Sequence, residues 1–171
     1  MIALKRINLF ALFIRMDRLG IDWPVSKYYA SVPESQEWTP GLYTLSKFSD
    51  SLSAPLSAVV RCFEDGDDML TTLPYPHPEY VKGIAYTRRP ILDAMVDMWR
   101  DENKDMNCRA FLLREADNED MNINQLFSRS KPDMRMHTLF RLCSRLSLRP
   151  SDVIREFERR YIAEHDLPKD L

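Results

Sequence analysis

The chain has 171 residues and a formal net charge of −2, a length that fits two small domains better than one. Hydrophobic residues make up 44% and charged residues 29% of it, which excludes a disordered chain and suffices for a packed core. Four glycines leave no glycine-rich phosphate loop, and three widely spaced cysteines without a CxxC pair favour reduced thiols in a reducing compartment. We therefore expect a cytoplasmic protein.

The first predicted element is an apolar helix over residues 3–19, which Gly20 is expected to end in a left-handed conformation. Lys5, Arg6 and Asn8 interrupt its start, and it has no small-residue cleavage site. The apolar run is also too short to span a bilayer. We interpret the segment as a core helix and expect no membrane contact.

A short polar helix is predicted over residues 25–32, before a loop with prolines and a glycine. It carries Ser26, Lys27 and Tyr28 beside small and aromatic anchors. A helix, a turn and a short polar helix form a helix-turn-helix pattern. These three side chains are therefore candidates for a weak DNA contact.

An internal repeat organises the whole chain. Residues 44–64 align without gaps on residues 138–158 at a constant offset of 94. Nine of the 21 positions are identical, namely Thr44/Thr138, Leu45/Leu139, Leu52/Leu146, Ser53/Ser147, Ser57/Ser151, Val59/Val153, Arg61/Arg155, Phe63/Phe157 and Glu64/Glu158. Such a repeat indicates two copies of one helical unit. The predicted boundaries are 1–65 for the first copy, 66–88 for a linker, 89–164 for the second copy and 165–171 for a tail.

The predicted linker follows an acidic run at residues 65–68. Pro74, Pro76 and Pro78 then impose an extended stretch, because proline fixes φ and restricts the residue before it. We expect this segment to connect two folded units.

Three features predict the first helices of the second copy. Pro90 opens a helix that runs to about Lys104, since proline is tolerated in a first helical turn. Asn107 is expected to cap the next helix, over residues 108–116. Arg109 lies near the start of that helix and is a candidate phosphate contact.

A short helix predicted over residues 122–130 combines three apolar anchors with a polar face. A solvated surface is the common interpretation of such a face. The alternative is a helix that lies in the major groove, because amide side chains pair with an adenine edge and arginine with guanine. Between residues 129 and 149 the chain has six basic residues and one acidic residue, a local excess that favours phosphate contacts.

Two longer helices follow. Residues 136–147 carry an apolar stripe at helical spacing, and Pro150 with Ser151 and Asp152 is expected to start and cap the last helix. Cys62 and Cys143 occupy apolar helical positions, which predicts buried structural thiols.

The segments AFLLREA, NINQLFSRS and HTLFRLCSRLSLRPSDVI, in this order, resemble the lambda-repressor-like helix-turn-helix family over residues 90–158. Asn118 to Met121 stand where that family usually has a glycine turn. The resemblance implies an all-α fold of two tandem helix-turn-helix bundles joined by a Pro-rich linker. It also implies a transcriptional regulator, a repressor of phage or mobile-element type.

On this hypothesis the helix over 122–130 enters the major groove of double-stranded DNA. The residues expected to reach bases are Asn122, Asn124, Gln125 and Arg129, and those expected to hold phosphates are Arg109, Ser128, Lys131 and Arg135. Two copies could occupy two half-sites alone, or the chain could form a homodimer through its N-terminal helix.

Catalysis is not expected. His77, His137 and His165 are scattered, no serine or cysteine stands in a nucleophile motif, and no metal-ligand spacing occurs. We predict no cofactor, metal or small-molecule substrate. The competing hypothesis is a helical interaction module, antitoxin- or inhibitor-like, because residues 1–66 balance seven basic against seven acidic side chains.

Overall fold

The computed structural model describes residues 9–24, 40–115, 123–128 and 132–168. Across these residues the protein is all-helical, with one isolated antiparallel bridge and no strand, which confirms the predicted all-α class. The elements in chain order are α1 (Leu9–Leu19), α2 (Leu42–Ser51), α3 (Leu56–Asp65), a 3₁₀ helix (Asp67–Thr71), α4 (Arg88–Glu102), α5 (Cys108–Glu115), α6 (Ile123–Leu126), α7 (Met136–Arg145) and α8 (Pro150–His165).

Local sequence signals end or begin several helices where we predicted them. α1 stops before Gly20, whose φ of +69° is the left-handed conformation that glycine adopts without strain. α5 follows Asn107, whose side-chain oxygen accepts the N–H of Ala110 at 3.0 Å. α8 begins at Pro150. The start of the N-terminal helix and the helix predicted over residues 25–32 lie outside the described residues.

The helix predicted over residues 122–130 is shorter than expected. Its described part, α6, is a single turn that ends at Leu126. The hydroxyl of Ser128 donates to the carbonyl of Gln125 at 2.7 Å, and this local bond closes a turn in place of a continuing helix. The polar face is therefore carried by one turn of helix and the turn that follows it.

The predicted linker packs against the core. It begins with the 3₁₀ helix, which we did not predict, and both Leu70 and Leu73 are buried. Arg15 on α1 donates to the carbonyl of Leu73 at 2.9 Å, and the N–H of His77 donates to the carbonyl of Ser53 at 2.8 Å. The connection thus contacts α1 and the turn between α2 and α3 of the first copy.

One hydrophobic core contains both copies of the repeat. Leu45 and its equivalent Leu139 are fully buried, as are Val59 and Val153. α3 and α8 lie against each other at the centre. Each such aliphatic side chain removed from water contributes about 1.5–3 kcal/mol, so equivalent helices of the two copies stabilise each other.

The backbone relates the two copies by a pseudo-twofold axis. Gly41 and Arg135, 94 residues apart, form the antiparallel bridge. On one side of it the N–H of Leu42 donates to the carbonyl of Met134 at 2.8 Å. On the other, the equivalent N–H of Met136 donates to the carbonyl of Pro40 at 2.9 Å. Reciprocal contacts between equivalent residues define a twofold relationship.

The same reciprocity recurs at the starts of α3 and α8. Ser57 donates its backbone N–H to Glu158 at 3.0 Å, and its hydroxyl also donates to that carboxylate. Ser151 donates both groups to Glu64, each at 2.7 Å. We predicted that α8 is capped by its own Ser151 and Asp152, and this was wrong, because neither side chain caps it. Instead, the carboxylate of Glu64 in the first copy accepts the backbone N–H of Ser151.

Candidate nucleic-acid interface

The polar face of α6 is exposed, and its apolar side is anchored in the core. Ile123 is 2% exposed, whereas Asn124 and Gln125 are both exposed. Arg109 on α5 donates through Nε at 3.1 Å, and also through Nη2, to the side-chain oxygen of Asn124. The structure therefore brings together Arg109, Asn124 and Gln125, three of the predicted DNA-binding side chains. The guanidinium of Arg109 orients the carboxamide of Asn124.

Two arginines at the start of α4 hold the end of α6. Arg88, only 5% exposed, donates to the carbonyl of Ser128 at 2.9 Å. Arg89 donates to the carbonyl of Phe127 at 2.7 Å. Two arginines at a helix N-terminus oppose the helix dipole, so their placement indicates a role outside the helix. The sequence contained this signal, and we did not use it. The two arginines satisfy the carbonyl groups of the turn that follows α6.

The predicted basic run is divided by the fold. Arg149 donates to Glu64 at 3.0 Å through Nε and to Asp65 at 2.8 Å through Nη2, so its charge is neutralised within the protein. Arg135 is exposed, and no hydrogen bond or ion pair engages its guanidinium among the described residues. Arg135 thus remains available to an anion, and Arg149 does not.

Six of the predicted contacts fall outside the described residues. They are Ser26, Lys27, Tyr28, Asn122, Arg129 and Lys131. Ser128 lies within them and is half-buried, with its hydroxyl donating to the protein backbone.

A second exposed surface lies at the bridge between the copies. We call it the bridge face, and it consists of half-buried Gly41 and the exposed residues Tyr43, Asp133, Arg135 and His137. Sequence reasoning included only Arg135 of these. The intervening Leu42, Met134 and Met136 are buried, so buried and surface residues alternate through the bridge and into the first turns of α2 and α7.

The backbone holds the acidic member of this face in place. Asp133 accepts the N–H of Met134 at 2.8 Å and that of Tyr43 at 3.2 Å. Its carboxylate lies over Gly41, where a Cβ would come within 2.5 Å of it. Tyr43 is 61% exposed, and the Lys47 ammonium lies 4.4 Å from its ring centroid. An aromatic ring and a cation therefore extend the bridge face along α2.

A cleft of about 710 Å³ between α4, α5 and α8 adjoins Arg109. Arg160 on its wall is paired with Asp97 at 2.7 Å and with Glu156 at 3.0 Å. The hydrogen bond from Arg159 is the main cause that lowers the pKa of Glu156 to about 2. Arginines and carboxylates alternate here, so the cleft offers mixed charge instead of a basic pocket.

Buried ionisable groups belong to the interior. Burial raises the pKa of the Glu158 carboxyl, although Ser57 and Tyr86 donate hydrogen bonds to it. Burial likewise raises the pKa of Cys62 to about 11 and that of Cys143 further. In the part of the chain that the structure describes, no three histidine, cysteine or carboxylate side chains meet at a possible metal site.

Among the described helices none has the length and apolar character needed to cross a membrane. Comparison with protein-family models, with curated proteins and with solved structures finds no match to this chain.

Proposed function

We propose that the protein is a sequence-specific regulator that binds double-stranded DNA through the exposed face of α6. The observation that carries this proposal is the Arg109–Asn124 pair beside exposed Gln125, on a helix turn whose other side is buried through Ile123. Amide and guanidinium groups are the side chains that read base edges in the major groove.

The geometry favours readout because the site is already organised. Arg109 fixes the oxygen of Asn124, which leaves the carboxamide N–H groups as donors. Arg88 and Arg89 fix the backbone at the end of α6. A side chain that is held before binding loses less conformational entropy on contact with a base.

The proposal includes the finer architecture implied by the resemblance. We infer two tandem lambda-repressor-like units, a cytoplasmic location and a repressor of phage or mobile-element type. The repeat at offset 94 supports two related units. The pseudo-twofold contacts support units that act as a pair, and a homodimer would then double the number of DNA contacts.

An alternative is a helical interaction module that binds another protein. Tyr43 favours it, because an exposed tyrosine with 61% of its surface free is typical of protein interfaces. The pairing of Arg149 with Glu64 and Asp65 also reduces the basic surface.

Salt-dependent DNA binding separates these two functions. Duplexes enriched by the full chain from a random pool should bind with an affinity that falls steeply as salt rises, because counterions are released from phosphates. Gln125→Ala should lower affinity for the enriched duplex by about tenfold, within the range for one base contact, and should leave binding to a scrambled duplex unchanged. Lys82→Ala, an exposed lysine between the copies, is the control. An interaction module would show neither enrichment nor a salt slope.

A further inference from the structure

The interface of α3 with α8 carries two ion pairs on one side of the pseudo-twofold axis. Arg149, immediately before α8, donates through Nε to the Glu64 carboxylate at 3.0 Å. One turn further along α8, Asp152 accepts a hydrogen bond from Arg61 at 2.9 Å. Both pairs join the start of α8 to the second half of α3. They show which groups complete this interface when both partners are present.

Glu158, on the other side of the axis, lacks the arginine that its equivalent Glu64 has. The repeat offset of 94 places Pro55 where the first side has Arg149. The oxygen of Glu64 that accepts a serine hydroxyl also accepts Arg149. Among the described residues, the corresponding oxygen of Glu158 accepts its serine hydroxyl alone, and the neutral hydroxyl of Tyr86 binds the other oxygen. The position of the arginine is therefore open to another cation.

Arg155 lacks the carboxylate that its equivalent Arg61 has. The same offset places Ala58 where the first side has Asp152. Arg155 has an ion pair with Glu79, but its 3.8 Å length exceeds a hydrogen bond and the two side chains are 61% and 65% exposed. An exposed pair of this kind contributes little, so a better-placed anion can replace it.

A cavity of about 850 Å³ adjoins both of these groups. We call it the α3–α8 cavity, and its wall includes Pro55, Ser57, Arg155 and Glu158. Its volume lies within the range of about 300–1,000 Å³ that is typical of small-molecule sites. The fold therefore provides space at the side of the interface where the two partners are absent.

Other charged side chains on the wall of the α3–α8 cavity are paired within the protein. Asp152 pairs with Arg61 at 2.9 Å, and Glu156 pairs with Arg159 at 2.6 Å. Each of these charges has a partner at hydrogen-bond distance. Glu158 and Arg155 therefore differ from them, and they are the groups that a charged ligand would engage.

The chemistry of the wall defines the class of ligand. Glu158 calls for a cation and Arg155 for an anion, and their spacing of three residues on one helix places their Cβ atoms about 5–6 Å apart. An α-amino acid carries an ammonium and a carboxylate on a single carbon, which suits two charges this close together. Apolar side chains form much of the remaining wall, and they are Pro78, Val81, Met98, Ile162 and Ala163.

We infer that the α3–α8 cavity binds a free α-amino acid with a large apolar side chain, whose ammonium pairs with Glu158 and whose carboxylate pairs with Arg155. The ligand then supplies the cation and the anion that Arg149 and Asp152 supply on the other side of the axis. This site is separate from α6, and the inference does not depend on DNA binding.

Isothermal titration of the full chain with L-leucine, L-methionine and L-phenylalanine tests the inference. At least one of them should bind saturably, with one ligand per chain. For the amino acid that binds most tightly, the corresponding amine without the carboxylate and the corresponding acid without the ammonium should each bind at least tenfold more weakly, because each leaves one charged group without its partner.

Two variants test the role of Arg155. Arg155→Gln should weaken binding by about tenfold. Ala58→Asp introduces the carboxylate that the other side of the axis has, and it should also weaken binding because it competes with the ligand for Arg155. The matched control is Arg114→Gln, which changes an exposed arginine of α5 outside the cavity wall and should alter affinity less than twofold.

Three results would overturn the inference. They are no binding of any of the three amino acids at millimolar concentration, equal affinity for the amino acid and its single-charge analogues, and equal affinity in Arg155→Gln and Arg114→Gln. The proposed DNA-binding function is tested separately by Gln125→Ala, so either proposal can fail while the other stands.

Discussion

Ser57 donates both its backbone N–H and its hydroxyl to the carboxylate of Glu158, 101 residues later in the chain. Ser151 and Glu64 make the reciprocal pair at the equivalent positions. Each copy of the repeat therefore supplies the carboxylate that completes the helix start of the other. Neither copy has this cap without its partner copy.

Removing either serine hydroxyl should destabilise the protein. Ser57→Ala and Ser151→Ala each delete a hydrogen bond to a charged group, which costs about 1.5–3 kcal/mol. Urea unfolding measures this loss. Ser51→Ala, at the end of α2, is the control and should change the unfolding free energy by less than about 0.5 kcal/mol. Losses in the two cap variants no larger than in the control would contradict the reciprocal caps.

The two equivalent glutamates should differ when neutralised. Glu64 receives Arg149 as well as Ser151, whereas Glu158 receives the neutral Tyr86 hydroxyl at 2.7 Å. Glu64→Gln removes the buried one of the two carboxylates that pair with Arg149, and Asp65 remains as the other. The loss should be about 2 kcal/mol, below the range for fully buried pairs because Arg149 is partly exposed. Glu158→Gln should cost less, since it removes a charge that burial disfavours. Equal losses by urea unfolding would argue against this difference.

Stability should depend on pH through Glu158. Burial raises the pKa of this carboxyl above its usual 4.5, so the folded state binds its proton more readily than the unfolded state. The contribution of this group to the free energy of unfolding is fully present below pH 4.5 and is lost as pH rises through the raised pKa of the folded state.

The unfolding free energies of the wild type and Glu158→Gln therefore test this sign across the acidic range. The unfolding free energy of the wild type minus that of Glu158→Gln should decrease as pH rises above 4.5. A difference that increases with pH would mean that the carboxylate is preferentially stabilised in the folded protein. A constant difference would mean that its pKa does not change on folding.

The three cysteines should be unreactive in the folded protein. Cys62, Cys108 and Cys143 are free and buried, and burial raises the pKa of each thiol. Because the thiolate is the reactive form, a chromogenic disulfide reagent at pH 8 should modify none of them within minutes. In denaturant all three should react. Rapid modification of one thiol in the native protein would contradict its burial and would show that the helix that carries it opens.

The repeat made part of this architecture predictable. Identical residues at a constant offset predict equivalent helices, and Gly20 and Pro150 mark helix ends through their own backbone preferences. We did not predict that the two copies cap each other's helices, although the spacing of the serine and the glutamate within each copy contained a signal. Ser57 and Glu64 are seven residues apart on one helix, about 10 Å along its axis, so each needs a partner elsewhere.

Only the part of the candidate site that depends on the local pattern of apolar and polar residues could be predicted from the sequence. Ile123 and Leu126 indicated which side of α6 faces the core, which left Asn124 and Gln125 outward. Counting charges could not separate Arg149, which pairs with Glu64, from Arg135, which remains available. That distinction depends on contacts between residues far apart in sequence.

The most direct test of the central claim is the ratio of affinities for an enriched duplex and its scrambled counterpart, measured at one salt concentration for the wild type and for Gln125→Ala. We predict a wild-type ratio of about 10³ or more, reduced about tenfold in the variant with nonspecific affinity unchanged. A wild-type ratio near one, or a ratio that Gln125→Ala leaves intact, would contradict DNA recognition by α6.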